Sequence, residues 1–328
     1  MSDITGVRVL VTGGLGFIGS NIAHRCVTLG ARVSLIDNLE SHCGGNLHNI
    51  SGIENAVEFL PRDILNLEAL LEAVQGRDII FHCAAITSHT FSMREPLVSM
   101  DANVRGTMNL LEAIRRINPG CRLVHLGTST QIGPLRFRPA TEEHPEFPAD
   151  IYSASKSASE KAVLIYGKAY GLTTTVVRLS NVYGPRASIH SPEFTFNNYF
   201  IGLALRDMDI TVFGDGKQLR NVLFVDDVVD ALMASALAKD IKAEVYCAAS
   251  DEHWTVAQIA EETVRVIGKG KVRYMPWPAE RKSIEFGDAV MSNAKIKQAF
   301  SWAPRFTLEE GLLRTRDFYR DRLHYYVR

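Results

Sequence analysis

The sequence predicts an α/β protein built on a doubly wound parallel sheet. Short apolar runs that end in glycine or a polar residue recur through the first 180 positions, and stretches of helical periodicity separate them. The chain, at 328 residues, also has the length for such a sheet and a smaller α/β lobe beyond it.

Residues 7–12 are apolar and β-branched but too few for a buried helix, which is the pattern of a strand covered on both faces. An amphipathic segment at 18–29 follows. Further strands are predicted over 32–37, 56–60, 78–82, 122–126 and 174–179, with helices over 66–75, 95–117 and 151–170. Such alternation yields parallel strands with helices on both sides. After Tyr183-Gly184-Pro185-Arg186 the rhythm loosens, and turn signals at 213–216 and 276–278 cut shorter elements. There is no low-complexity linker. Residues 181–328 are therefore expected to form mainly a second lobe packed on the first (1–180), with a segment at about 205–250 contributing to the first.

Composition narrows the class. Apolar residues make up 46% and charged residues 22%, with a formal net charge of -1, so no global field recruits nucleic acid or an anionic membrane. No apolar run reaches the length of a membrane span, and the first residues lack the basic and apolar regions of a signal peptide. The five cysteines are scattered, without Cys-x-x-Cys spacing, which predicts reduced thiols and no metal centre. A soluble cytoplasmic protein is expected.

The first strand runs into Thr12-Gly13-Gly14-Leu15-Gly16-Phe17-Ile18-Gly19. Glycines at 13, 16 and 19 permit a tight turn and let a pyrophosphate approach the backbone, while the following helix offers free amides and its positive dipole end. Asp37 ends the next strand; its carboxylate would accept the adenosine ribose hydroxyls and repel a 2′-phosphate. This is a Rossmann-type turn for NAD.

Tyr152 and Lys156 lie four apart on one predicted helix, so they share a face. A tyrosine titrates near ~10 and is a poor base at neutrality. A neighbouring ammonium and a positive nicotinamide ring would both draw it down. The fifth strand ends in Thr128-Ser129-Thr130, at the sheet edge where open α/β folds bind ligands, so Thr128 would hydrogen-bond the substrate oxygen.

These motifs, with Asp63-Ile64, His82-Cys83-Ala84-Ala85, Asn103, Asn181–Arg186 and Gly214–Val222 leading into Val225-Asp226-Asp227, closely resemble the extended short-chain dehydrogenase/reductase family. The resemblance covers nearly the whole chain and points to its NAD-dependent nucleotide-sugar epimerases and dehydratases, the group that is like UDP-glucose 4-epimerase. It implies that Thr128, Tyr152 and Lys156 form the catalytic triad. Gly13, Gly16, Phe17, Ile18, Asp37 and Asn38 would hold the NAD, with Tyr152 and Lys156 at its nicotinamide ribose. Asp63 and Ile64 would border the adenine, Ala84 and Ala85 would line the dinucleotide, and Asn103 would support this site. Asn181, Arg220 and Arg281 would bind the substrate diphosphate and nucleoside, which suits the planar donors of arginine. His89, in the loop that faces the sugar in family members, would join Thr128, Ser129 and Thr130 at the sugar. Asp226 and Asp227 are read as helix-start residues, and His82 and His125 as buried and satisfied.

The shared chemistry is oxidation of a sugar carbinol by NAD, with Tyr152 taking the proton. Members that remove water carry Asp-Glu after the catalytic threonine, and decarboxylating members usually keep a glutamate at the position of Thr130. Ser129-Thr130 disfavours both. What needs only the triad is 4-epimerisation through a transient 4-keto sugar. The alternatives are a nucleotide-sugar 2-epimerase, for which Cys83 and His89 do not match the usual acid/base motif, and a keto-sugar reductase. A non-catalytic NAD-sensing scaffold would not need the proton-transfer set. Gln131-Ile132-Gly133 stands where members commonly have Val-Tyr-Gly, a departure read as lying beside the sugar pocket. Members are commonly dimers through helices at about 95–117 and 151–170, and the stripe of Leu110, Leu111, Ile114, Val163 and Leu164 permits a homodimer.

Overall fold

The computed structural model describes residues 4–239 and 241–327. Six strands come from the first half of the chain: β1 (Arg8–Thr12), β2 (Arg32–Ile36), β3 (Val57–Leu60), β4 (Ile79–His82), β5 (Arg122–Thr128) and β6 (Thr173–Leu179). The remainder adds β7 (Asn181–Tyr183), β8 (Ile210–Phe213), β9 (Leu219–Arg220), β10 (Val222–Phe224), β11 (Glu244–Ala248), β12 (Trp254–Thr255) and β13 (Val272–Met275). The main helices are α1 (Phe17–Thr28), α2 (Leu67–Ala73), α3 (His89–Arg94), α4 (Pro96–Met100), α5 (Gly106–Ile117), α6 (Ile151–Tyr170), α7 (Phe196–Leu205), α8 (Val225–Leu237) and α9 (Val256–Ile267). The short α10 (Ala279–Lys282) and α11 (Ala294–Phe300) precede α12 (Leu308–Tyr319).

A seven-stranded parallel sheet runs β11-β6-β5-β4-β1-β2-β3. The chain winds from β1 outward to β3, then crosses to β4 on the other side of β1. That reversal opens a crevice past the strand ends at Thr12 and His82, which are paired in register. The fold class is the doubly wound one the apolar runs predict. The seventh strand, β11, was not among the runs read as strands. It pairs with β6 from Glu244↔Thr175 to Ala248↔Leu179 and brings a late segment back onto the sheet.

One core face joins the strands to α1, α7, α8, α9 and α12, with Leu15, Leu35, Phe224 and Leu232 all fully buried. The other face packs Leu10, Ile80, Leu110, Ile114 and Val163 beneath α2, α5 and α6. Four of the five residues of the stripe read as compatible with dimerisation therefore face their own core: Leu110, Leu111, Ile114 and Val163 are buried, and Leu164 packs partly against the same cluster. The apolar side chains that these helices leave exposed are others, among them Leu97, Ile117, Ile165 and Tyr170.

Local signals explain the helix that carries Tyr152. Asp150 caps α6 by accepting the Ser153 amide at 2.8 Å, and Gly171, at φ +72°, ends it. The predicted helix over 95–117 forms, but residues Asp101–Arg105 widen into a π turn between α4 and α5. Such turns redirect side chains inside a helix. Here the π turn contains Asn103. Among the described residues, no helix is long and apolar enough to cross a membrane.

Candidate active site

A cavity of about 880 Å³ lies over the strand ends, close to the upper end of the roughly 300–1,000 Å³ usual for ligand sites. Asp37 and Asp63 line one end, the glycine turn and Tyr152 the middle, and Arg220, Trp277 and Arg281 the other end. One cleft thus joins two regions.

The glycine turn is a cradle that side chains would fill. Gly13 has φ +66°, and a Cβ there would sit 2.7 Å from the Ala84 nitrogen on the neighbouring strand end. A Cβ on Gly19 would lie 2.2 Å from the Gly13 carbonyl oxygen. The helix behind the turn begins at Phe17 with no side-chain cap and no acidic residue in its first turn. Its amides and dipole are left for an anion. Asp37 accepts the Leu15 amide at 3.0 Å and the Leu39 amide at 2.9 Å. Burial pushes its carboxyl up, and these two amides pull it back. A carboxylate has about four acceptor sites, so ribose hydroxyls still find room. Asn38 donates to Asp63 at 3.1 Å, and Asp63 accepts the Leu65 amide at 2.8 Å. Gly16, Phe17, Ile18, Asn38, Ile64, Ala84 and Ala85 all line this half of the cavity. These groups fit a dinucleotide.

Asn103 stands apart from the other residues assigned to the cofactor: it does not line the cavity. Its amide is spent on the Ile86 backbone, accepting at 2.8 Å and donating at 2.9 Å, and on the Ser155 hydroxyl at 2.8 Å. It therefore ties the loop after β4 to α6, as a support and not as a ligand contact.

Tyr152 and Lys156 are both buried and both line the cavity. Burial drives the Tyr152 phenol up to about 12, with the Thr128 hydroxyl pulling it down and the Asp150 carboxylate adding to the rise. The ammonium expected to draw Tyr152 into the neutral range does not overcome that burial in the protein alone. Burial also lowers Lys156 to about 8, while Cys83 and Glu160 resist the change. Its Nζ lies 3.4 Å from His125 Nε2. Burial holds the His82 ring down at about 3, with Lys156 adding to it, and Thr12 and Thr107 bond its two nitrogens at 2.7 and 2.9 Å. His125 departs from the expectation of full satisfaction, because its Nδ1 is buried without a partner.

At the end of β5, the Thr128 hydroxyl lies 3.2 Å from that of Thr130, which in turn accepts from Ser153 at 2.9 Å. Ser129 also lines the cavity. Gln131 does not: it is fully buried, accepts the Thr128 amide at 3.2 Å and donates to Glu160 at 2.7 Å. Its departure from the usual residue type serves the underside of the turn and not the sugar pocket. His89 also differs from expectation, since it opens α3 behind the Ser88 cap instead of lying in a loop. Its Nδ1 is 2.7 Å from Asp150 Oδ2, and its ring stands edge-on to Tyr152 with centroids 4.9 Å apart.

At the far end, Asn181, Arg220 and Arg281 line the cavity together. Arg220 donates to the Leu219 and Gly287 carbonyls at 2.9 and 2.6 Å, meets Glu285 at 3.3 Å and stacks over Phe286. Arg281 lies over the Phe213 ring. Asp227 is structural, as expected: fully buried, it accepts the Arg305 and Phe306 amides at 3.0 and 3.2 Å. Four lining groups were not singled out from the sequence as ligand contacts: Ser180, Glu193, Gln218 and Trp277. The Ser180 hydroxyl and the Gln218 carbonyl oxygen are buried without a partner, as groups awaiting a polar ligand are. Ser180 has no spacing signal of its own. Gln218, within the 214–222 motif, had one.

Comparison with known proteins agrees with this geometry. Residues 9–249 match the model of the NAD dependent epimerase/dehydratase family. A UDP-glucose 4-epimerase of Mycolicibacterium smegmatis is 30% identical over 323 residues, covering 96% of this chain and 99% of its own. A crystal structure of UDP-glucose 4-epimerase with UDP-glucose from Thermotoga maritima superposes with a TM-score of 0.87 at 28% identity, covering 97% of this chain and 100% of its own. A dTDP-glucose 4,6-dehydratase from Bacillus anthracis in complex with NAD gives 0.85 at 29%, covering 98% and 99%. The relatives include UDP-glucuronic acid decarboxylases as well. NAD is the cofactor they have in common with this fold.

Proposed function

The chain belongs to the NAD-dependent epimerase/dehydratase family, and from that premise we propose that it is a nucleotide-sugar 4-epimerase. The observation that carries this reading is the triad of Thr128, Tyr152 and Lys156 beside a turn without a carboxylate. Positions 129 and 130 are hydroxyl residues, and Thr130 is engaged with Thr128 and Ser153. Nothing in that turn protonates a leaving hydroxyl or removes a C5 proton, as dehydration requires.

Bound NAD supplies a hydride acceptor and, after the sugar has turned, the donor. The protein's own groups do the rest. Tyr152 takes the proton from the sugar's C4 hydroxyl and later returns it. Thr128 holds that oxygen by a hydrogen bond. Lys156, buried against His125, binds the nicotinamide ribose and contributes the positive charge that favours the phenolate. Asn181, Arg220 and Arg281 hold the diphosphate and nucleoside, leaving the sugar free to rotate among His89, Ser129 and Thr130. Cys83, pushed up by burial, stays a thiol and is a poor base, which counts against the 2-epimerase reading. We also propose a homodimer, on different residues from the stripe first considered. Leu97 is 79% exposed and Ile165 57%, on the same two helical segments.

Incubating the purified protein with UDP-, CDP-, GDP- and dTDP-sugars, with products resolved by NMR, tests the reading. Interconversion of one C4 epimer pair without added cofactor is expected. Tyr152→Phe should lower turnover by about 10²- to 10⁴-fold. Stoichiometric NAD(P)H consumption would identify a reductase instead, and full turnover by the Tyr152→Phe variant would overturn the mechanism.

A further inference from the structure

The helix cap before Tyr152 carries more than capping requires. A side-chain oxygen from serine or asparagine caps a helix about as well as aspartate. Asp150 is nevertheless a carboxylate whose side chain is only 2% exposed, and a buried charge is costly unless it is compensated. One oxygen, Oδ1, caps the helix at the Ser153 amide. The other, Oδ2, meets His89 Nδ1 at 2.7 Å and the Ser153 hydroxyl at 3.1 Å.

From Ser153 the contacts continue to Tyr152. The Ser153 hydroxyl reaches Thr130 at 2.9 Å, Thr130 reaches Thr128 at 3.2 Å, and Thr128 bonds the phenol. A chain of three hydroxyls thus joins the phenol to a carboxylate–imidazole pair, and the imidazole lines the cavity. Among the described residues, its Nε2 makes no hydrogen bond, so that nitrogen is free to exchange a proton with solvent or ligand.

We propose that His89 and Asp150 are positioning residues that set when Tyr152 releases and regains its proton, acting through Ser153, Thr130 and Thr128. The physical basis is charge. With His89 protonated the pair is neutral; with His89 neutral a lone negative charge faces the phenol and opposes its ionisation. The other groups around Tyr152 do not duplicate this. Thr128 from β5 is uncharged, and Lys156 on α6 is engaged with His125 from β5, with Cys83 and Glu160 as the charges acting on it. Glu193, across the cavity, is held by Ser88 and Thr90.

This inference rests on Tyr152 being the base of the proposed reaction, but its test needs no sugar. In NAD-loaded protein, the phenolate absorbance of Tyr152 is titrated as the difference between each protein and the same protein carrying Tyr152→Phe. Asp150→Asn, which keeps the cap, should lower the midpoint by about one pH unit, a tenfold change in ionisation. His89→Gln should raise it, because the carboxylate then loses its compensating cation. Asp150→Ser, another capping residue, serves if the asparagine variant does not fold. A purely structural cap would leave every midpoint at the wild-type value; if either the Asp150 or the His89 substitution does so, the proposal is overturned. Failure of all sugars to turn over would remove the epimerase reading and leave this result standing.

Discussion

The two ends of the cleft are built by different means. The cofactor end is made largely of backbone: glycines at 13 and 19 that exclude a Cβ, an uncapped helix start, and carboxylates at the ends of neighbouring strands. The sugar end is made of side chains from segments far apart in sequence, such as His89, Asn181, Arg220 and Arg281, several already bonded to other protein groups. A backbone cradle tolerates almost no substitution and recognises one shape. A side-chain pocket is retuned by single changes, which suits relatives that share NAD while acting on different sugars by different reactions.

The comparison is broken most directly at Gly13. Gly13→Ala adds a Cβ 2.7 Å from the Ala84 nitrogen at φ +66°, so neither the strand end nor the turn has a cheap escape. Retained NAD in the purified protein should fall at least ~100-fold, equivalent to about 3 kcal/mol, a strain cost of the expected size. NAD content equal to wild type would mean that the cradle is softer than argued.

At the opposite end, Arg220→Met should weaken nucleotide-sugar binding by about 10- to 100-fold, the worth of one charge-assisted hydrogen bond set. NAD content should stay unchanged. Calorimetry with a nucleotide diphosphate measures the first and cofactor extraction the second. A parallel loss of NAD would show that the two ends are not separable.

The smallest effect concerns acid. His82, beneath the glycine turn, and His24 are held neutral by burial, with folded values of about 3 and about 4. Below the unfolded value of ~6.5 the unfolded chain binds protons that the folded one does not, so their contribution to stability is intact above that pH and lost as pH falls toward the folded values. Each should cost about 1 kcal/mol between pH ~6.5 and ~5.5. Melting temperatures followed across that range should drop for wild type, and His82→Gln should flatten part of the slope.

Legibility in the sequence follows the same division. Strands β1 to β6, the glycine turn, Asp37 and the Tyr152/Lys156 spacing were readable because each depends on residues close in sequence. The role of Asn103 was not, because a π turn aims its amide at Ile86 and Ser155. Gln131 looked like part of the pocket and faces Glu160 instead. The His89–Asp150 contact joins positions 61 residues apart. Likewise β11 reads as an isolated short run until its register with β6 is known.

The sequence by itself determined that a dinucleotide is bound at the first strand–helix turn and which side chains are available for proton transfer. Backbone conformation and helix spacing are local properties, and local residue types decide them. The tertiary structure alone decided which of those side chains meet: that burial lifts Tyr152 to about 12, that Asp150 holds His89 beside it, and that Arg220 comes to the same cleft as Gly13. Desolvation and distance act through space, and only the packing of distant segments sets them.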